Sequence, residues 1–219
     1  MSNYGNSFFT PGTKEYPAST MPIWLEVKER KIAGGTFSLS GYNKGDIIAA
    51  GIPVVLGKMG GTATLLPIFK VVGAVSAEAT TLVLKPLSGI IPVEDMVVGK
   101  IDATGKAAKA AALPAGTALT GTDAGKYSFT ITANTFGALS DGDLLVICKE
   151  AGSNKYTYKP DGLSWREVNI NGGALNTGTP THGTVAVVTK GQILGDRINE
   201  LPDYYKASLP GITFEYELS

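Results

Sequence analysis

From Ile23 onward the chain is a succession of short apolar runs separated by Gly, Pro, Asp and Asn. The runs IWLEVKER, GDIIAAGIPVVLG, ATLLPIFKVVGAV, TTLVLKPL, KYSFTITA, GDLLVICKE and GTVAVVTKG are rich in Val, Ile, Thr and aromatic residues. Stretches of roughly 4 to 8 such residues between turn formers are the pattern of many short strands. In KYSFTITA, Tyr127, Phe129 and Ile131 fall on one face and Ser128, Thr130 and Thr132 on the other, which predicts a strand with one wet side. LLVIC, Leu144 to Cys148, is apolar on both faces and predicts a central strand. The expected class is mainly β, a short-stranded β-barrel or β-clip-like body whose folding-over leaves few free edges.

The end of the chain adds a strand and a little helix. Ile212, Phe214, Tyr216 and Leu218 alternate with Thr213, Glu215 and Glu217, which predicts a closing strand paired to a sheet. Helix signals are confined to one turn around Ala77 to Thr80 and to pieces over Asp196 to Glu200 and Pro202 to Leu209. Pro202 suits a first helical turn, and Pro210-Gly211 a stop.

The segment VVGKIDATGKAAKA reads as a strand, a turn at Asp102 to Gly105, and a return strand. Asp102 can cap that turn through its side chain, and Gly105 can take the left-handed position. Lys100, Lys106 and Lys109 then occupy solvated positions rather than a phosphate cradle. Two longer stretches echo each other about Ala50-Gly51-Ile52 and Ala115-Gly116-Thr117. Either a repeated tight-turn clip or shared composition accounts for the echo.

Residues 1 to about 22 show neither period and scatter Pro11, Pro17 and Pro22 among Gly, Ser and Thr, the composition of an extended arm. Its Tyr4, Phe8, Phe9 and Tyr16 are unusual for a linker, because disordered spacers are poor in aromatics. They either fold back on their own domain or dock on a neighbouring subunit or another protein. The expected division is an extended arm over 1–31, a β-rich body over 32–150 and a C-terminal β lobe with a short helix over 151–219.

Charge narrows the functional classes. Lys plus Arg number 19 and Asp plus Glu number 19, a formal net charge of zero that argues against a nucleic-acid binder working through the phosphate backbone. The charged fraction of 17% is below the usual quarter, as expected of a surface that a partner covers or that Thr, Ser and Asn keep wet. Cys148 is the single cysteine and sits in an apolar run, so a small buried thiol is expected and no disulfide framework. The first residues lack a basic segment followed by an apolar core, and no apolar run approaches the roughly 20 residues of a membrane span. A soluble product of a reducing compartment is expected.

No constellation for catalysis emerges. His182 is the single histidine, and Ser164 in GLSW lacks the G-x-S-x-G elbow. One His and one Cys exclude the common zinc sets. Asp141 and Asp143 could open a calcium loop, but the apolar LLVICK follows, so they read as a polar turn, as do Glu94 and Asp95. The Gly-rich GKMGGT and GGALNTGTPTHGT match no phosphate-binding motif. Tyr156, Tyr158 and Trp165 form either a sugar-stacking platform or a cross-strand cluster about the Pro160-Asp161-Gly162 turn. No catalytic residue, cofactor or metal site is expected.

The runs GDIIAAGIPVVLG and VVGKIDATGKAAKAAALPAGTALTG, with the ending GTVAVVTKGQILGDRINELPDYYKASLPGITFEYEL, resemble head decoration and head fibre proteins of tailed bacteriophages. The similarity runs from about Ile32 to Ser219. It implies a decoration-protein-like fold and a homotrimer on the outer capsid surface, its arm touching the major capsid protein. A virion structural protein, made in the bacterial host cytoplasm and carried on the capsid exterior, is the expected role, with neither nucleic acid nor membrane as partner. A carbohydrate-binding or adhesin-like β module is the alternative. The chain departs from the family in length, since about 70 residues follow Ala151.

Overall fold

The computed structural model describes residues 23–38, 46–57, 61–170 and 182–216. Its strands are β1 (Trp24–Ser38), β2 (Ile47–Ile48), β3 (Pro53–Leu56), β4 (Ala63–Leu65), β5 (Ile68–Val71), β6 (Thr81–Pro86), β7 (Val97–Ile101) and β8 (Lys106–Ala112). They continue with β9 (Gly116–Ala118), β10 (Tyr127–Thr130), β11 (Leu144–Ile147), β12 (Gly152–Tyr156), β13 (Gly162–Ser164), β14 (Val168–Asn169), β15 (His182–Leu194) and β16 (Ile212–Glu215). One short helix, α1 (Asp203–Ala207), lies between the last two. The mainly-β expectation holds.

One sheet runs in the order β1-β15-β13-β3-β4, with β16 also paired to β15. β15 organises it. Along one edge β15 pairs antiparallel with β1, from Trp24–Ile193 to Ser38–His182. Its other edge is shared, first by β13 at Val187 and Val188 and then by β16, which runs parallel to Gly191 through Leu194. The outer strands β1 and β4 meet at an isolated bridge between Thr36 and Thr62, where a Cβ on Gly35 would stand 2.7 Å from the Cβ of Ala63. The sheet therefore curls without closing, and the expected barrel is corrected to two open sheets.

The second sheet runs β12-β8-β7-β11-β5-β6-β10-β9, every neighbour antiparallel. All of its strands come from the unbroken stretch Ile68 to Tyr156, while the first sheet is built from segments on either side of it. The sheets thus divide the chain differently from the sequence division. Residues 24–31 belong to β1 rather than to an arm, and β12, beyond the expected boundary at 150, pairs with β8. The polar run around Gly152 to Lys155 looks like a linker because β12 is an edge strand whose residues are mostly exposed.

Each sheet covers its own core, and a third lies between them. Phe69, Leu82, Leu84, Val98, Phe129 and Leu145 pack under the eight-stranded sheet, and Phe37, Ile48, Ile52, Val54 and Val187 inside the curl of the other. The third joins Ile68 and Val146 of one sheet to Leu163, Ile193 and Ile212 of the other through Leu201, Tyr205 and Leu209. Those last three are spaced by four, so α1 and its flanks present one apolar stripe. Pro202 stands at the N-cap of α1, as its fixed φ suits. The helical turn expected around Ala77 is instead a tight turn closed by Ala79 N–H donating to the Ser76 carbonyl, because Val75 is held by its bridge to Leu139.

The β7–β8 hairpin forms as its sequence predicts. Asp102 Oδ1 accepts hydrogen bonds from the Thr104 and Lys106 amides at 2.8 and 3.1 Å, and Gly105 has a φ of +78°. A Cβ at Gly105 would meet the Tyr204 ring at 2.5 to 2.8 Å, so this turn also packs against α1. Replacing Gly105 with Ala is expected to lower the unfolding free energy by about 1–3 kcal/mol, from both backbone strain and the displaced ring. Gly121→Ala is the control: its φ is +69° but nothing lies within 4 Å of the added atom, so it should cost no more than about 1 kcal/mol. Equal losses in urea titrations would show that the Tyr204 contact contributes nothing.

Candidate functional site

Most side chains that sequence inspection marks as chemically capable are held in structural contacts. Ser164 is fully buried, its Oγ accepting from the Ile52 amide at 3.0 Å and donating to the Ala49 carbonyl. Asp141 accepts from the Gly73 amide, and Asp143 accepts from the Ser140 amide and pairs with Lys100 at 2.8 Å. These carboxylates brace turns, as the polar-turn reading expects. Asp95, with a φ of +65°, likewise sits in a turn beside Glu94. Lys109 reaches Asn134, and Lys106 lies 5.0 Å over the Tyr156 ring. His182 is the first residue of β15. Among the described residues no three His, Cys, Asp or Glu side chains gather as metal ligands.

The buried polar groups are similarly engaged. Thr157 Oγ1 donates to the Ile147 carbonyl at 2.6 Å and is 2.8 Å from Tyr205 Oη. A hydroxyl has one proton to give, so Tyr205 is the donor to Thr157. Burial pushes the Tyr205 phenol well above its ordinary value. Burial also raises the Cys148 thiol to about 11, which leaves it protonated and unreactive near neutrality.

Two shallow clefts of about 190 Å³ each flank α1. One lies between the β7–β8 turn and Tyr204, the other beside Glu200, Lys206 and the half-exposed Tyr216. Both are below the roughly 300 Å³ at which pockets enclose a small-molecule ligand.

The three aromatic residues named from sequence sit in three different settings. Tyr156 is 50% exposed on β12. Tyr158 packs against the inter-sheet core with Lys149 over its ring. Trp165 follows β13 in the other sheet, with the Arg30 guanidinium 3.8 Å and the Arg166 guanidinium 3.9 Å from its ring centre. At those distances each cation lies directly over the ring, and two planar groups of that width cannot overlie one face together. The indole is sandwiched, so a sugar ring stacking there would have to displace one arginine. The Trp165 carbonyl accepts from Trp24 Nε1 at 3.0 Å, which fixes this corner to the start of β1.

Arg30, Arg166 and Trp24 escaped sequence inspection because Arg30 and Trp24 reach Trp165 only through the β1–β15–β13 pairing. A Trp-Arg dipeptide alone carries no signal. Tyr4, Phe8, Phe9 and Tyr16 lie outside the described residues. A scan against protein-family models, a search of curated proteins and a search of solved structures each found no match. The chain is a mainly-β protein of two large open sheets joined through a short helix, with β2 and β14 paired separately.

The raised thiol has a consequence for stability. A folded-state value above the unfolded one means that the native state holds its proton more tightly, so the contribution is fully present below about pH 9 and is lost as pH rises toward 11. The unfolding free energy should therefore fall between pH 9 and 11, by at most about 1.4 kcal/mol per unit for this group. Cys148→Ala should flatten the profile between pH 9 and 10, leaving the loss from Tyr205, which begins at the ordinary phenol value of 10.0. An unchanged slope in the variant would show that the thiol is not the group responsible.

Proposed function

We propose that the protein is a structural component of a tailed-phage head, bound to the outer surface of the capsid as a decoration or head fibre protein. The observation that carries this reading is that the candidate reactive side chains, Ser164, Asp102, Asp141, Asp143, Cys148 and Tyr205 among them, are engaged in holding turns and cores. What the molecule offers to the outside is surface. The resemblance supplies the kind of partner: its phrase VVGKIDATGKA is the β7–β8 hairpin, whose Asp102 turn packs against Tyr204 of α1.

In this reading the chain is a homotrimer at a three-fold or quasi-three-fold position on the virion exterior. It contacts the major capsid protein, with Tyr4, Phe8, Phe9 and Tyr16 of the N-terminal segment as contact residues. Area covered at the shell then stabilises it against internal pressure. The test is light scattering coupled to size-exclusion chromatography, followed by co-sedimentation with capsids that lack this protein. A trimer that sediments with such capsids is expected, with binding weakened when residues 1–22 are removed. A monomer that stays in the supernatant overturns the proposal.

A further inference from the structure

The sandwich about Trp165 is more than a covered indole. Arg30 and Arg166 are both exposed, and among the described residues neither is paired with a carboxylate. Of the acids nearby, Glu29 and Glu26 are taken, and Glu167, next to Arg166 in the chain, makes no ion pair with either arginine among the described residues. Glu29, next to Arg30, pairs across the strands with Lys190 at 2.8 Å, and Glu26 pairs with Lys28 at 3.3 Å. Among the described residues neither guanidinium has a carboxylate within ion-pair distance, whereas Lys28 and Lys190 do.

Stacking also orders them. A guanidinium lying flat on an aromatic face keeps all of its N–H donors in the plane of the group, directed outward past the ring edge. That fork matches the two oxygens of a carboxylate. With one arginine on each face of the indole, the two forks are held apart by a rigid spacer, and the side-chain entropy that binding would otherwise cost is largely lost in advance. Trp165 itself is anchored by the Trp24 hydrogen bond to its carbonyl.

We propose that Arg30, Trp165 and Arg166 form a recognition clamp for an acidic segment of a partner protein, each guanidinium taking one carboxylate. A nucleic acid fits this surface less well. Its phosphates need a continuous basic track, whereas Lys28 and Lys190 are neutralised by Glu26 and Glu29 and the chain as a whole carries no net charge.

The test titrates the full-length chain into a fluorescein-labelled peptide of alternating Asp and Glu and, separately, into a labelled oligothymidylate, reading anisotropy at low and physiological salt. It needs no capsid, so its outcome is independent of the capsid-binding experiment. Peptide binding is expected, with the oligonucleotide bound more weakly at each salt concentration. Arg30→Lys and Arg166→Lys keep the charge but lose the fork, and each should weaken the peptide by about tenfold. The double Arg30→Ala, Arg166→Ala variant should show no measurable binding while keeping the native far-ultraviolet circular dichroism. Oligonucleotide affinity equal to or above that of the peptide, peptide affinity unchanged by the lysine substitutions, or no binding at all would each overturn the assignment.

Discussion

The architecture depends on the inter-sheet core around Tyr205. This side chain is fully buried between the sheets, and its hydroxyl meets Thr157 at 2.8 Å, which in turn is bonded to the Ile147 carbonyl of β11. A large apolar ring supplies the burial that joins the sheets, and the phenol would be costly to bury without its partner. The hydrogen bond therefore selects one seating of α1 among the many that apolar packing alone would allow. Around it converge the β7–β8 turn through Tyr204 and the exit from β12, where the Thr157 amide donates to the Gly105 carbonyl at 2.9 Å. A five-residue helix, too short to persist alone in water, is held in place by what it touches.

That joint explains how an inserted sheet stays attached to the one that carries it. The eight-stranded sheet is one unbroken stretch of chain, and three of its pairings, β5–β6, β7–β8 and β9–β10, join consecutive strands. The curled sheet must bring together β1, β15 and β16 from opposite ends of the chain, with a larger loop-closure cost. β15 meets that demand with thirteen residues paired to three different strands. Among the described residues the outer edge of β1 is left largely unpaired, but this long strand is charged and interrupted by repeated register shifts, two features that discourage edge-to-edge association.

The surface has a corresponding division. Ion pairs such as Lys190–Glu29 and Lys155–Glu150 neutralise charge locally on exposed strands, where each contributes little to stability. Against that background Arg30 and Arg166 make no ion pair among the described residues and are ordered on an aromatic spacer.

Local sequence was informative wherever a single strand or turn decides the outcome. The Asp102–Gly105 turn, the alternation of Phe129 and Ile131 against Thr130 and Thr132, and the inward Ile212 of the closing strand were all legible, because side-chain period and turn conformation are properties of a few adjacent residues. Pro202 and Pro210-Gly211 marked the ends of α1 for the same reason. The division into units was not legible, since a polar edge strand such as β12 has the composition of a linker. Nor was the barrel, since closure turns on whether β1 and β4 share a ladder or one bridge. The Trp165 sandwich was hidden as well, since Arg30 lies far from it along the chain and comes close only when β1, β15 and β13 pair in one register. Short-range sterics are written in neighbouring residues; which strands become neighbours is decided by the burial of the whole, and only the tertiary structure records it.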